Sequence, residues 1–293
     1  MPSGVIIGIL FPNLTLLTKP FAESIVICML TVSIFRLDPT EILVTLARIK
    51  LILFGTSFIL VIIPLLIFLF AHLVHTPIEL ITILVAWGSC PPLVSMPGLA
   101  ILIGLNGTAA LIILLGATLI FTVTLPILLS VLTENGIDID PLNMSIKLII
   151  IVGLCLLAAQ LFRKLLGNSL AKKIDPSADG LIVILMAFFA ITIMGGIHNV
   201  WPTNPQKVLI FFLAAISVCV LSQLFCAFTF CKFHRPTAGT IALASGSRNL
   251  ALLLPVASGV FYDNLWLFLA VIQIPVYFLP IISKPLYRNI YLN

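Results

Sequence analysis

The stretch ASGSRNLALLLP, Ala244 to Pro255, sets an arginine between two long apolar runs. TAGTIALASG leads in and LALLLPVASGVF leads out. An arginine at the centre of a bilayer costs about 2.5–3.5 kcal/mol on insertion scales. Arg248 therefore lies outside the hydrocarbon, or the protein compensates for it. The rest of the chain decides between the two.

The chain has 293 residues, of which 61% are hydrophobic and 9% charged, with a mean hydropathy of +1.27. A soluble surface needs roughly a quarter of charged residues, so a soluble domain is excluded. The net charge of +5 is spread over short loops. It forms no basic patch and no aromatic stacking platform, which argues against nucleic acid as a partner. Cys28, Cys90, Cys155, Cys219, Cys226 and Cys231 lie within apolar runs, without CxxC or metal spacing. No disulfide framework or zinc site is expected, and no removable signal peptide precedes the first run.

Crossing the hydrocarbon takes about 20 apolar residues. Apolar runs between polar breaks predict ten crossings, at about 3–17, 20–36, 50–73, 78–104, 107–133, 143–163, 180–199, 206–231, 237–260 and 263–286. Between the second and third, RLDPTEILVTLARIK puts Ile42, Leu43, Leu46 and Ile49 on one helical face, as in a helix lying at the interface. With a cytoplasmic N-terminus, the inner loops and tail carry Arg36, Arg48, Lys50, Arg163, Lys164, Lys172, Lys173, Lys232, Arg235, Lys284 and Arg288. The outer side carries Lys19, Lys147 and Lys207. The positive-inside rule selects this orientation, with both termini cytoplasmic in a multi-pass protein of the cytoplasmic membrane.

Two parts of the chain echo each other. AWGSCPPLVSMPG (Ala86–Gly98) is followed by TLPILLS (Thr124–Ser130), and ASGSRNLALLLPV (Ala244–Val256) by FLPIISK (Phe278–Lys284). An odd number of crossings per half inverts the second half. The expected fold is therefore all-α, a single transmembrane domain over 1–293. Its two inverted five-helix repeats cover about 1–135 and 140–293, as in secondary transporters. Pro91, Pro92 and Pro97 remove three amide donors within seven residues, so the fourth crossing should unwind near Cys90–Pro97. The ninth should unwind near Gly246–Asn249. Irregular backbone at that depth must be buried or line a wet cavity. Half-helix N-termini meeting there would favour an anion.

At these residues the chain resembles the bile acid:sodium symporter family, whose fourth crossing carries a Gly-Cys-Cys-Pro-like motif and whose ninth carries a Glu-x-Gly-x-Gln-Asn-like motif. GSCP (Gly88–Pro91), Asn106 and GSRN (Gly246–Asn249) fall at matching positions. The resemblance implies alternating access for a small to medium organic anion, with crossings 1, 2, 6 and 7 moving against a core of 3–5 and 8–10. It also implies sodium, but the family's sodium ligands would fall on Ala244, Arg248, Met96 and Pro97 and near Ala110 and Leu114. Sodium needs oxygen ligands, and these side chains offer none. Glu23 is too peripheral to substitute. No resident cofactor is expected.

Arg248 then has three readings. It replaces a bound cation, it grips the anion bidentately, or it snorkels to a surface. Asn249 either caps a half-helix or touches substrate. Ser89, Ser95, Ser245 and Ser247 either line the cavity or bond a carbonyl one turn back. Cys90 is either a packing residue or a thiol of the arsenite-exporter kind, and Gln273 faces either the cavity or a neighbouring helix. These eight residues are the candidate substrate-binding set. His72, His75, His198 and His234 read as interfacial or loop residues, and no nucleophile–base pair or nucleotide motif supports an enzyme. The alternatives to an anion transporter are an arsenite-type or auxin-type exporter of related fold, and a degenerate transporter kept as a membrane receptor or scaffold.

Overall fold

The computed structural model describes residues 2–35, 54–133, 140–232, 234–257 and 259–291. The expected interfacial helix at 36–50 lies outside the described residues. Those residues are mostly helical, with no strand apart from one isolated bridge. The elements are α1 (Pro2–Leu10), α2 (Pro12–Thr18) and, after a 3-10 turn at Lys19–Phe21, α3 (Ala22–Phe35). There follow α4 (Phe54–Leu73), α5 (Ile78–Gly88), α6 (Met96–Ile103), α7 (Gly107–Leu132), α8 (Pro141–Leu166) and α9 (Asn168–Ile193). The last are α10 (Gly195–Val200), α11 (Pro205–Thr229), α12 (Arg235–Ser245), a 3-10 turn at Leu250–Leu253, and α13 (Gly259–Tyr291).

Seven of the described helical segments are long and apolar enough to cross a membrane: Pro12–Phe35, α4, α7, α8, Lys173–Val200, α11 and Phe261–Tyr291. The first and fourth expected crossings are interrupted at prolines, and the ninth at Gly246–Asn249. Pro12 separates α1 from α2, and Pro91–Pro92 separate α5 from α6. The second half of the ninth shrinks to the 3-10 turn, because Pro255 lacks the amide that would extend it. It therefore has no long helix whose dipole would face an anion, contrary to the expectation for that side. The sixth starts at Pro141 rather than 143, since the Asp140 carboxylate accepts from the amides of Leu142 (3.0 Å) and Asn143 (3.1 Å).

The helices pack in two groups. In one, α1, α3, α8 and α9 pack on each other; in the other, α4 to α7 pack with α11 to α13. Arg163 ties the first group at one end. It is buried, its Nη1 donates to the Phe35 carbonyl at 2.7 Å, and it lies 3.8 Å from the Asp175 carboxylate. The ends of α3, α8 and α9 are held by that one side chain. The groups meet where α10 and α9 pack on α13 and α8 packs on α7.

Gly246 is where α12 stops, and its lack of a side chain is required. A Cβ there would run into the Gln223 side chain and sit 2.5 Å from the Cys219 carbonyl oxygen of α11. Gly153 in α8 has nothing within 4 Å of the same position. Gly246→Ala should therefore cost about 1–3 kcal/mol through overpacking and lower the melting temperature of the detergent-purified protein. Gly153→Ala should hold or raise it, by up to about 1 kcal/mol of helix propensity. Equal melting curves for the two variants would contradict this packing.

Candidate functional site

The two interrupted segments cross. Leu93 N–H donates to the Ser247 carbonyl at 2.9 Å, and Asn249 N–H donates to the Pro91 carbonyl at 2.8 Å. Pro92 and Arg248 face each other across this short antiparallel bridge. Each segment thus supplies donors and acceptors that the other has lost by unwinding. That satisfies irregular backbone buried away from water.

Arg248 closes what the bridge leaves open. It is 2% exposed. Nε donates to the Ser245 carbonyl at 2.8 Å, Nη1 to the Cys90 carbonyl at 3.0 Å and Nη2 to the Ile59 carbonyl at 3.2 Å. All three acceptors are backbone oxygens freed by a local defect. Ser245 is the last residue of α12, and Cys90 follows the C-terminal end of α5. Ile59 lies in a π turn of α4, Phe58–Ile62, in which the Ile63 amide bonds the Phe58 carbonyl. In that register the Ile59 carbonyl would next take the amide of residue 64, which is proline and has none. The guanidinium therefore sits at the negative ends of two helices and over an orphaned carbonyl. Its carbon lies 5.8 Å from the centre of the Trp87 ring, within cation–π range. Charge-assisted hydrogen bonds contribute about 1.5–3 kcal/mol each, so three of them offset the about 2.5–3.5 kcal/mol cost of a membrane arginine. Arg248 is compensated where it lies and does not snorkel.

Beside the crossing is a cavity of about 20 Å³, room for about one water. Met29 of α3 and Met186 and Phe189 of α9 form one wall, and Arg248, Asn249 and Gln273 belong to the other. The structure thus brings three of the eight candidates together at the junction of the two helix groups. The Asn249 side chain makes no cap bond to the 3-10 turn that follows it. Ser89 Oγ donates to the Val85 carbonyl at 2.9 Å. Ser245 Oγ lies 2.9 Å from the Ser222 carbonyl and 2.7 Å from that of Ala242. Ser95 Oγ and Ser247 Oγ are buried without a partner. Cys90 contributes its carbonyl to Arg248, and its buried side chain is not among those lining the cavity.

Several residues around the site were not anticipated. Ile59 acts through its backbone alone, and Pro64 five residues later was the available signal. Trp87 immediately precedes GSCP. Gln223 is a lone amide in an apolar run, where polar side chains commonly bond across helices. Its Oε1 accepts from the Tyr287 hydroxyl at 2.9 Å, joining α11 to α13 below the crossing. His198 Nε2 lies 2.9 Å from the Gly8 carbonyl and ties α10 to α1.

The positions where the resemblance would put sodium ligands do not suit that ion. Ala244, Met96 and Ala110 are fully buried and Leu114 is 7% exposed, with no side-chain oxygen among them, and the guanidinium adds a positive charge. Arg248→Ala should leave three carbonyls without donors, at about 1–3 kcal/mol each, and lower the melting temperature strongly. Arg248→Lys keeps the charge but not the planar fork, and should fall between. An Arg248→Ala protein that melts like the wild type would show that the three bonds do not hold the crossing. No protein-family model matches the chain, and no curated protein matches its sequence.

Proposed function

We propose that the chain is a secondary transporter that moves a small to medium organic anion across the cytoplasmic membrane by alternating access, with Arg248 in place of a bound cation. The observation that carries this is the pair of unwound segments, bridged backbone to backbone and locked by a buried guanidinium at the junction of two helix groups. Such crossings are how transporters build a site at mid-membrane. The proposal takes ten crossings in two inverted repeats. It is supported by matching element order: α4, α5, break, α6 and α7 in one half, and α11, α12, break, 3-10 turn and α13 in the other.

The pairing of segments on common sides, which the crossing count requires, draws support from two contacts. Lys19 lies 5.2 Å over the Trp266 ring, joining two ends assigned to the outer side. Asn106 N–H donates to Thr240 Oγ1 at 3.1 Å, joining two assigned to the inner side. The helix groups coincide with the moving panel and core that the resemblance to bile acid:sodium symporters implies. In this arrangement the cavity between them is closed to about one water, so substrate entry requires the groups to separate.

The charge at the cavity favours an anion. Arg248 is cationic, and Asn249 and Gln273 supply amide donors. Among the described residues no carboxylate lines the cavity. An arsenite-type exporter would need the Cys90 thiol at the cavity, and Cys90 lines none of it. With Arg248 committed to three carbonyls, its role is that of a fixed cation, and the anion is left to Asn249, Gln273 and the free guanidinium hydrogens. Coupling then falls to the membrane potential, to protons or to simple uniport.

The purified protein in proteoliposomes should give saturable uptake of organic anions, unchanged when potassium replaces sodium. Accumulation driven by a sodium gradient would overturn the cation-replacement role, and absence of any saturable flux would favour a receptor or scaffold. Arg248→Gln with Ala244→Glu should regain partial sodium dependence, which neither single change should give. Topology has its own test, in a chain whose exposed Cys28 and Cys231 are changed to Ser. Thr203→Cys should react with an impermeant thiol reagent in intact cells; reaction only after lysis would reverse the orientation.

A further inference from the structure

A second concavity lies apart from the crossing. It is a groove of about 880 Å³ between α4 and α11, with Leu80 and Leu84 of α5 at its base. That volume falls within the roughly 300–1,000 Å³ typical of ligand sites. Both walls belong to helices long and apolar enough to cross a membrane. The groove follows α11 from Ile210 to Phe228, roughly 27 Å at 1.5 Å per residue, close to the hydrocarbon thickness of about 30 Å. Its rims are large exposed side chains, such as Phe70 at 57%, Leu73 at 67% and Phe228 at 81%.

Polar groups gather at one end. His75 and Thr76, in the turn from α4 to α5, line that end. His75 holds a φ of 55°, a left-handed conformation unusual for a side-chain-bearing residue. Lys207 lies one helical turn beyond Ile210 on the same stripe of α11 as Ala214, Ser217 and Leu221. Its Nζ is 5.6 Å from the Phe211 ring. Two hydrogen-bonding side chains at the head of a long apolar trough, with an ammonium one helical turn beyond its last lining residue on α11, match one chemistry, a phosphate headgroup followed by acyl chain. A second helix would meet the large Leu and Phe rims before it reached the small residues Ala214 and Ser217, whereas flexible acyl chains fit between those rims.

We propose that the groove between α4 and α11 binds an anionic phospholipid of the bilayer, its chains along Leu73 and Leu221 and its phosphate at Lys207, His75 and Thr76. The inference rests on the chain crossing a membrane and does not depend on its transporting anything. The site also backs the crossing. Ser222 lines the groove, its carbonyl accepts from Ser245 Oγ, and the Ser245 carbonyl holds Arg248 Nε. A lipid seated there restrains α11 against α12.

The test is native mass spectrometry of the full-length protein titrated with phosphatidylglycerol or phosphatidylcholine, with thermal unfolding followed in parallel. The wild type should retain phosphatidylglycerol adducts and melt at higher temperature as they form, since a ligand of the folded state stabilises it. Ala214→Phe with Ser217→Leu fills the trough and should weaken retention about tenfold while the lipid-free melting temperature stays unchanged. His75→Asn with Lys207→Gln keeps the trough and the left-handed turn. It should retain both lipids alike, having lost the preference for the anionic one. Equal adducts in the wild type and the filled variant would overturn the proposal. So would efficient disulfide cross-linking between copies through Leu221→Cys in membranes, which would make the groove a subunit contact. Should the filled variant melt lower without lipid, unchanged anionic preference in the His75→Asn, Lys207→Gln protein would still overturn the headgroup assignment.

Discussion

Three backbone carbonyls converge on one guanidinium, and the arrangement of the core follows from that. The chain interrupts α5 and α12 and introduces a π turn into α4, and each defect leaves an oxygen without an amide donor. Unpaired carbonyls in a dry interior are costly. One residue with a planar, multiply donating cation satisfies all three at 2.8–3.2 Å. The fixed fork of arginine suits this better than a point charge or a neutral amide. Arg248 and the Pro92–Arg248 bridge thereby lock together three segments that are far apart in sequence.

Around this lock the two helix groups differ in how they are held. The group containing the crossing is knit by polar contacts at depth: the Arg248 fork, the Ser245–Ser222 bond and the Tyr287–Gln223 bond. The other group is fastened at one end by Arg163, Phe35 and Asp175, by the His198–Gly8 and Cys155–Ile27 contacts along α1 and α3, and otherwise by apolar packing. Between them lie the cavity lined by Asn249 and Gln273 and the tight approach of Gly196 to the Trp266 backbone. The contact between the groups is mostly apolar around that cavity, with the His198–Gly8 bond as a polar tie from α10 to α1.

Much of this was legible in the sequence. Long apolar runs with few charges are helices in a membrane, since every backbone group must bond within its own segment there. Pro91, Pro92 and Pro97 foretold the first break, and Gly-Ser-Arg-Asn foretold the second. The amphipathic stretch at 36–50 falls outside the described residues. The part not legible was of two kinds. Ile59 and Cys90 act through backbone oxygens, which every residue has, so side-chain identity gives no sign of them. Ser89 and Ser245 bond carbonyls of the helices around them, and whether a hydroxyl turns to its own helix or to a cavity depends on neighbours from other segments.

By itself the sequence determined the all-helical, membrane-spanning character, the positions of the two interruptions and the need to compensate Arg248. These follow from local chemistry: hydropathy over about 20 residues, missing proline amides and the cost of a charge in hydrocarbon. Only the tertiary structure decided what compensates the charge. It drew the acceptors from residues 59, 90 and 245, and it left Asn249 and Gln273, not Ser89 or Cys90, beside the cavity. The physical reason is distance. Three carbonyls separated by up to 186 residues meet one guanidinium only after α4, α5 and α12 have packed together, and no periodicity or motif within a single segment encodes that meeting.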